Sequence, residues 1–404
     1  MVLSKKSKLL MTHFTKNPYN LKQTKRTNDI ITELYYDILE AYQFASLVPN
    51  NVTIKKITHM SQITKPNTFG SSSFPVDVIK HIDLSSKTEI TYNLNLEGKK
   101  VKIIFIIEEI DIAIETYNRY VDAIVMWLYI LNNYASSKCS SNIVLYFYFT
   151  SLEKIIPESN LLVLGTTHVN TAFTSTCPSD PEIVVYRKEE WFKVFIHETI
   201  HNFGLDFSDM DNSECAKHIL KLFPVNSNVN LFESYAEFWG ETINVLFCSF
   251  LNLKNKTNLD KFLTDVEFLM NIERQYSFFQ LAKVLKFMGL TYKDLYSNTK
   301  TSDNLRKKMF KENTNVLSYY IIKTILLNNY QTFLYWCEQN NPLLLQFKKT
   351  RLNQRELCLF IEKNYKNKSM LTCVKDAEDF LNTRFSKRDI YLLTNMRMSI
   401  CEMG

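Results

Sequence analysis

Two imidazoles four positions apart, with a carboxylate beside the first, are the residues of this chain best placed to do chemistry: His197, Glu198 and His201 in His197-Glu198-Thr199-Ile200-His201. On a helix, positions i and i+4 lie one turn apart on the same face. Both rings can then converge on one metal at about 2.0–2.1 Å per bond, while Glu198, rotated about 100° round the axis, overhangs the metal instead of binding it. Glu198 is thereby placed to take a proton from a zinc-bound water, which is hydrolytic chemistry. A catalytic zinc needs three protein ligands and one open position, so the pair predicts a third ligand downstream.

The segment Leu231-Phe232-Glu233-Ser234-Tyr235-Ala236-Glu237-Phe238-Trp239 offers one, because it reads as helix and sets Glu233 and Glu237 one turn apart on one face. The first carboxylate can bind the metal while the second accepts a hydrogen bond from the far nitrogen of a ligand histidine. Ala236 is small enough to let this helix approach the helix of the histidines. Because Glu237-Phe238-Trp239-Gly240-Glu241 repeats the pattern one turn later, Glu237 stands as the alternative third ligand.

The histidine pair followed, 32 residues after His201, by Glu233-x-x-Ala236-Glu237 resembles the gluzincin class of zinc metallopeptidases. The Glu-x-x-Ala-Glu form is most similar to toxin metalloproteases of the lethal-factor type. The resemblance spans motif residues within 182–241. It implies one zinc held by His197, His201 and Glu233, with Glu198 as general base and Glu237 supporting a ligand histidine. It also implies a zincin-like architecture, with strands before the active-site helix and helices after it. Zincins commonly stabilise the transition-state oxyanion with a Tyr or His from the second half, and Tyr319 and Tyr320, which open a helix there, are the candidates. Two departures narrow the class. Gly204 stands where metzincins have glycine, but Phe207 occupies their third histidine and Asp206 is one residue out of register. No G-x-M-E-N segment is present, so amino-terminal trimming is not expected.

The elements that must position these residues divide the chain at the motif. Helical periodicity runs from Asn28 to Leu47 and from Asp111 to Tyr134. Thr88 to Leu96 and Lys100 to Glu108 read as a hairpin turning at Glu97-Gly98-Lys99, and Ile143 to Phe149 as a further strand. His168 to Thr174 and Glu182 to Tyr186 read as extended, and the second is the expected edge strand for an extended peptide substrate. The motif helix is expected from near Lys188, closed by Asn202 and Gly204. Beyond it the pattern is mainly helical, including Val229 to Leu253, Leu259 to Met288 and Val316 to Asn328. The fold class expected is therefore α+β: a basic flexible arm (1–27), an α/β half (28–207) ending in the motif helix, and an α-helical half (208–404) carrying the third ligand.

Composition bounds the rest. With 46% hydrophobic and 22% charged residues the chain is globular in character, and no apolar run approaches the ~20 residues that span a bilayer. Lys5, Lys6, Lys8, Lys16, Lys22, Lys25 and Arg26 all precede Asp29, the first acidic residue, so the arm could touch nucleic acid or an anionic surface. The eight cysteines are scattered without a C-x-x-C pair, which reads as reduced thiols in a cytoplasmic protein. Heavy use of Asn, Lys, Ile, Tyr and Phe is that of an AT-rich genome, such as a large DNA virus, which would place the protein in host cytoplasm or virion. The leading expectation is a zinc-dependent peptidase acting on a protein or peptide substrate. A catalytically inactive zincin with a structural or host-interaction role, and a zinc carboxypeptidase, are the alternatives.

Overall fold

The computed structural model describes residues 3–14, 21–135, 139, 142–178 and 181–403. Its class is the α+β expected: a six-stranded mixed sheet with helices, followed by a mainly helical C-terminal half. The sheet order is β1 (Val52–Lys56), β2 (Thr88–Leu96), β3 (Lys99–Ile107), β4 (Ile143–Phe149), β6 (Glu182–Val185) and β5 (Ala172–Thr174). β2 and β3 form the expected hairpin. Leu96 pairs with Lys99, and Glu97 and Gly98 take φ of 50° and 87°, the left-handed pair that lets a two-residue turn follow the strand twist.

β3, β4 and β6 run parallel through the sheet, and their nearly continuous apolar runs fit burial on both faces. Phe105, Phe147 and Phe149 point to the side of the motif helix, whereas Ile104, Ile106, Tyr148 and Val184 are covered by Phe74 and the helix Val76–Ser85. The sheet edge differs from the one expected. Glu182 to Tyr186 is paired on both sides, with β4 and with β5, so β5 is the edge strand. Residues 172–174 turn back antiparallel beside β6, a pairing that the local apolar pattern of either segment does not encode.

Of the basic arm, residues 1–2 and 15–20 lie outside the described residues. The described part departs from a free arm: Lys5–Met11 is helical and capped by the Ser4 side chain, Leu10 and Phe14 are buried, and Leu3 bridges Met403. The apolar residues set between the lysines anchor it. The cysteine expectation also needs correcting. Six cysteines are free and buried, but Cys139 and Cys177 are joined in a disulfide. Their loops converge at the C-terminal end of the motif helix, where the Cys177 N–H donates to the Asn202 carbonyl at 2.9 Å, a proximity hidden by 38 residues of sequence separation. Among the described residues, no helix is long and apolar enough to cross a membrane.

Three elements frame the chemistry: the motif helix (Trp191–Asn202), the acidic helix (Leu231–Asn252), and a π-helical segment (Leu317–Ile322) that runs into the helix Lys323–Asn328. The segment Met396–Cys401 threads the interior behind them, every residue of it buried. Four of its backbone N–H groups are satisfied by two buried carboxylates: Met398 and Ser399 donate to Glu190, Ile400 and Cys401 to Glu273.

Candidate metal centre

The motif helix is buried along its whole length, and its two faces have different tasks. Trp191 and Phe195 pack on Phe147 of β4 with ring centroids 5.5 and 5.7 Å apart, and Trp127 donates to the Thr199 hydroxyl at 2.7 Å. Gly204, at φ 65°, ends the helix as expected, since an L side chain resists that conformation. With one face fixed to the sheet, Lys193, His197 and His201, spaced by four, turn to the acidic helix.

The acidic helix runs antiparallel to it and comes unusually close at Gly240. A Cβ there would lie 3.3 Å from the Lys193 carbonyl oxygen and 3.4 Å from the His197 Cβ. Gly240, more than Ala236, is the residue that permits the approach. Glu233 thereby meets both histidines. The Nε2 atoms of His197 and His201 are 3.0 Å apart, and Oε2 of Glu233 lies 3.3 Å from the first and 3.4 Å from the second. These three side chains form a group that could hold a metal ion. Two imidazole nitrogens and one carboxylate oxygen are a donor set that zinc accepts.

Each donor is held from behind. Nδ1 of His197 lies 2.9 Å from Oε2 of Glu237, whose other oxygen is paired with the buried Lys193. Nδ1 of His201 is paired with Asp206, which also accepts from the Ser208 hydroxyl at 2.8 Å. Glu233 accepts through Oε1 from Asn315 Nδ2 at 3.2 Å and through Oε2 from the Tyr319 hydroxyl at 2.8 Å. Glu237 thus faces the outer nitrogen of His197 and Lys193, and Glu233 alone of the two acids closes the donor triangle. Sequence reasoning missed Asn315 and Lys193, and weighed Asp206 only as an out-of-register ligand and not as the partner of His201. Lys193 was legible as the i−4 neighbour of His197, but Asp206 depends on the turn at Gly204 and Asn315 on a contact across the C-terminal half.

Electrostatics follow the burial. Burial opposes charge on Glu233, yet the two imidazoles beside it hold it well below the usual carboxylate range. Burial pushes Glu198 up, with the two histidines only partly offsetting it. Glu198 lines a cavity of about 20 Å³ together with His197, Tyr319, Met398 and Ala172 of β5, room for about one water molecule. Ala172 and Asn170 also line an adjoining cavity of about 340 Å³ that runs past Phe173 to Asn230 and Asn315.

The two tyrosines part company. Tyr319 reaches Glu233 and lies 5.9 Å from the His197 ring, whereas the Tyr320 hydroxyl donates to the Met396 carbonyl at 2.6 Å, away from the donors. Adjacent helical residues project in different directions, so only one of the pair can face the site. The π-helical winding under Tyr319 is itself rare and recurs at functional sites. No family model, curated protein or solved structure matches the chain. The chemistry of the site therefore rests on its own geometry.

Proposed function

We propose that the chain is a zinc-dependent metallopeptidase in which His197, His201 and Glu233 bind the metal. The observation that carries this reading is the triangle of donor atoms, with edges of 3.0, 3.3 and 3.4 Å. Ligands of a tetrahedral zinc with bonds of ~2.0–2.1 Å stand about 3.3–3.4 Å apart. Zinc held there supplies the positive charge that acidifies water towards a pKa of ~7 and polarises a carbonyl.

The remaining work belongs to the chain. Glu198 takes the proton of the attacking water and passes it to the leaving amine, restoring its carboxylate. Asp206 and Glu237 hold the outer nitrogens of the histidines, which fixes tautomer and ring orientation. The Tyr319 hydroxyl donates to the oxyanion once it leaves Glu233. An extended peptide lies along β5, whose free edge borders both cavities.

A second reading, a zinc-binding but catalytically inactive scaffold with a structural or host-interaction role, is favoured by one observation: the cavity beside Glu198 holds about 20 Å³, which no peptide enters without movement. Cleavage-site profiling on a peptide library separates the two. The expected outcome is cleavage by the wild type and, for Glu198→Gln, retained zinc with turnover lower by about 10²–10⁴-fold. Zinc in both proteins with cleavage by neither supports the scaffold; full turnover in Glu198→Gln contradicts the mechanism.

A further inference from the structure

Within the C-terminal half, the helices Ser213–Leu222 and Arg351–Asn364 pack together and bring Cys215 and Cys358 to the wall of one cavity. Both thiols are buried, at 4% and 2% exposure, yet both line a cavity of about 440 Å³ that opens beside them. Cys215 also reaches the Gln354 carbonyl at 3.9 Å. Arg351 and Arg355, both exposed, stand on the cavity wall with His218, which is paired to Glu362 at 2.9 Å. Two thiols on one cavity, whose wall carries the Arg351 and Arg355 guanidinium groups beside the single carboxylate of Glu214, are more than packing requires of two small core residues.

The geometry points to a redox-active dithiol, in which Cys215 and Cys358 exchange with a small anionic disulfide bound in this cavity. The Cys215 thiolate attacks one sulfur of the small disulfide; that S–S bond breaks, a mixed disulfide forms on Cys215, and the first small thiol leaves with the proton Cys215 gave up. Cys358 then attacks the Cys215 sulfur, the mixed bond breaks, and the second small thiol leaves with the proton of Cys358. Two protein thiols are oxidised and one small disulfide is reduced to two thiols. The order of attack follows from the shared cavity and the opposite shifts of the pair: the neighbouring Cys358 thiol lowers Cys215, and Cys215 in turn raises Cys358. Arg351 and Arg355 supply the attraction for the carboxylates of the incoming molecule.

The test uses the folded full-length chain and glutathione disulfide, with thiol counting and peptide mapping by mass spectrometry. The expected result is loss of two titratable thiols with a Cys215–Cys358 cross-link, a stalled mixed disulfide on Cys215 in Cys358→Ser, and an unmodified Cys358 in Cys215→Ser. Arg355→Gln, which alters an exposed side chain and leaves the core intact, should react at least about threefold more slowly. Cross-linking only after denaturation, or an unchanged rate in Arg355→Gln, would overturn the proposal. So would protection of both thiols by added zinc without any cross-link, which would make the pair part of a metal site.

Discussion

At the scale of single residues, the site is a set of donors whose positions are set by their neighbours. His197 is aimed by Glu237, itself compensated by Lys193, and His201 is aimed by Asp206. Such outer partners typically contribute 10–100-fold in metal affinity. Glu237→Gln and Asp206→Asn should therefore each weaken zinc about 10–100-fold in a competition titration against a chromogenic chelator, with Glu198→Gln unchanged in the same assay. Equal affinity in all three would show that the histidines need no support. Of these residues, the two histidines, Glu198, Glu233 and Glu237 were legible because helical spacing of four is written in the sequence. Asp206 was not. It was weighed only as an out-of-register ligand, and its place behind His201 depends on the left-handed turn at Gly204.

At the scale of elements, close approach and capping decide the geometry. Gly240 lets the acidic helix touch the motif helix at Lys193 and His197. Gly240→Val should overpack this contact, lowering stability by about 1–3 kcal/mol in urea unfolding and weakening zinc with it. Unaltered stability would mean that the helices have room to spare. The π-helical segment that presents Tyr319 is capped by Glu312, which accepts from the N–H groups of Val316 and Leu317 and from Ser227. Burial pushes the Glu312 carboxyl from 4.5 up to about 7. A carboxyl whose pKa is higher folded than unfolded binds its proton more tightly in the folded state. Its stabilisation is complete below about pH 4.5 and lost as pH rises through about 7. The wild type should thus lose at most about 2–3 kcal/mol relative to Glu312→Gln between those limits, read from denaturation at each pH. A pH-independent difference would contradict this. The sequence pattern located the hairpin and most helices here, since periodicity is local. It read Val316 to Asn328 as one regular helix and put the sheet edge at β6, because winding and strand order are fixed by contacts distant in sequence.

At the scale of the whole molecule, the centre is assembled from both halves of the chain and closed from behind by its last segment. The histidines come from the helix that follows the sheet, Glu233 and Tyr319 from the helical half, and Met398 lines the cavity at Glu198. Fully buried pairs, Lys154 with Glu190, Lys193 with Glu237 and Lys323 with Glu241, tie these parts together. Buried ion pairs add little net stability, and their value here is in fixing how the three elements meet. That arrangement brings three donors to one point, which is the central claim. Metal analysis of the purified wild-type chain beside His201→Ala tests it most directly. The account predicts one zinc per chain in the wild type and its loss in the variant; no zinc in the wild type, or equal zinc in both, would contradict it.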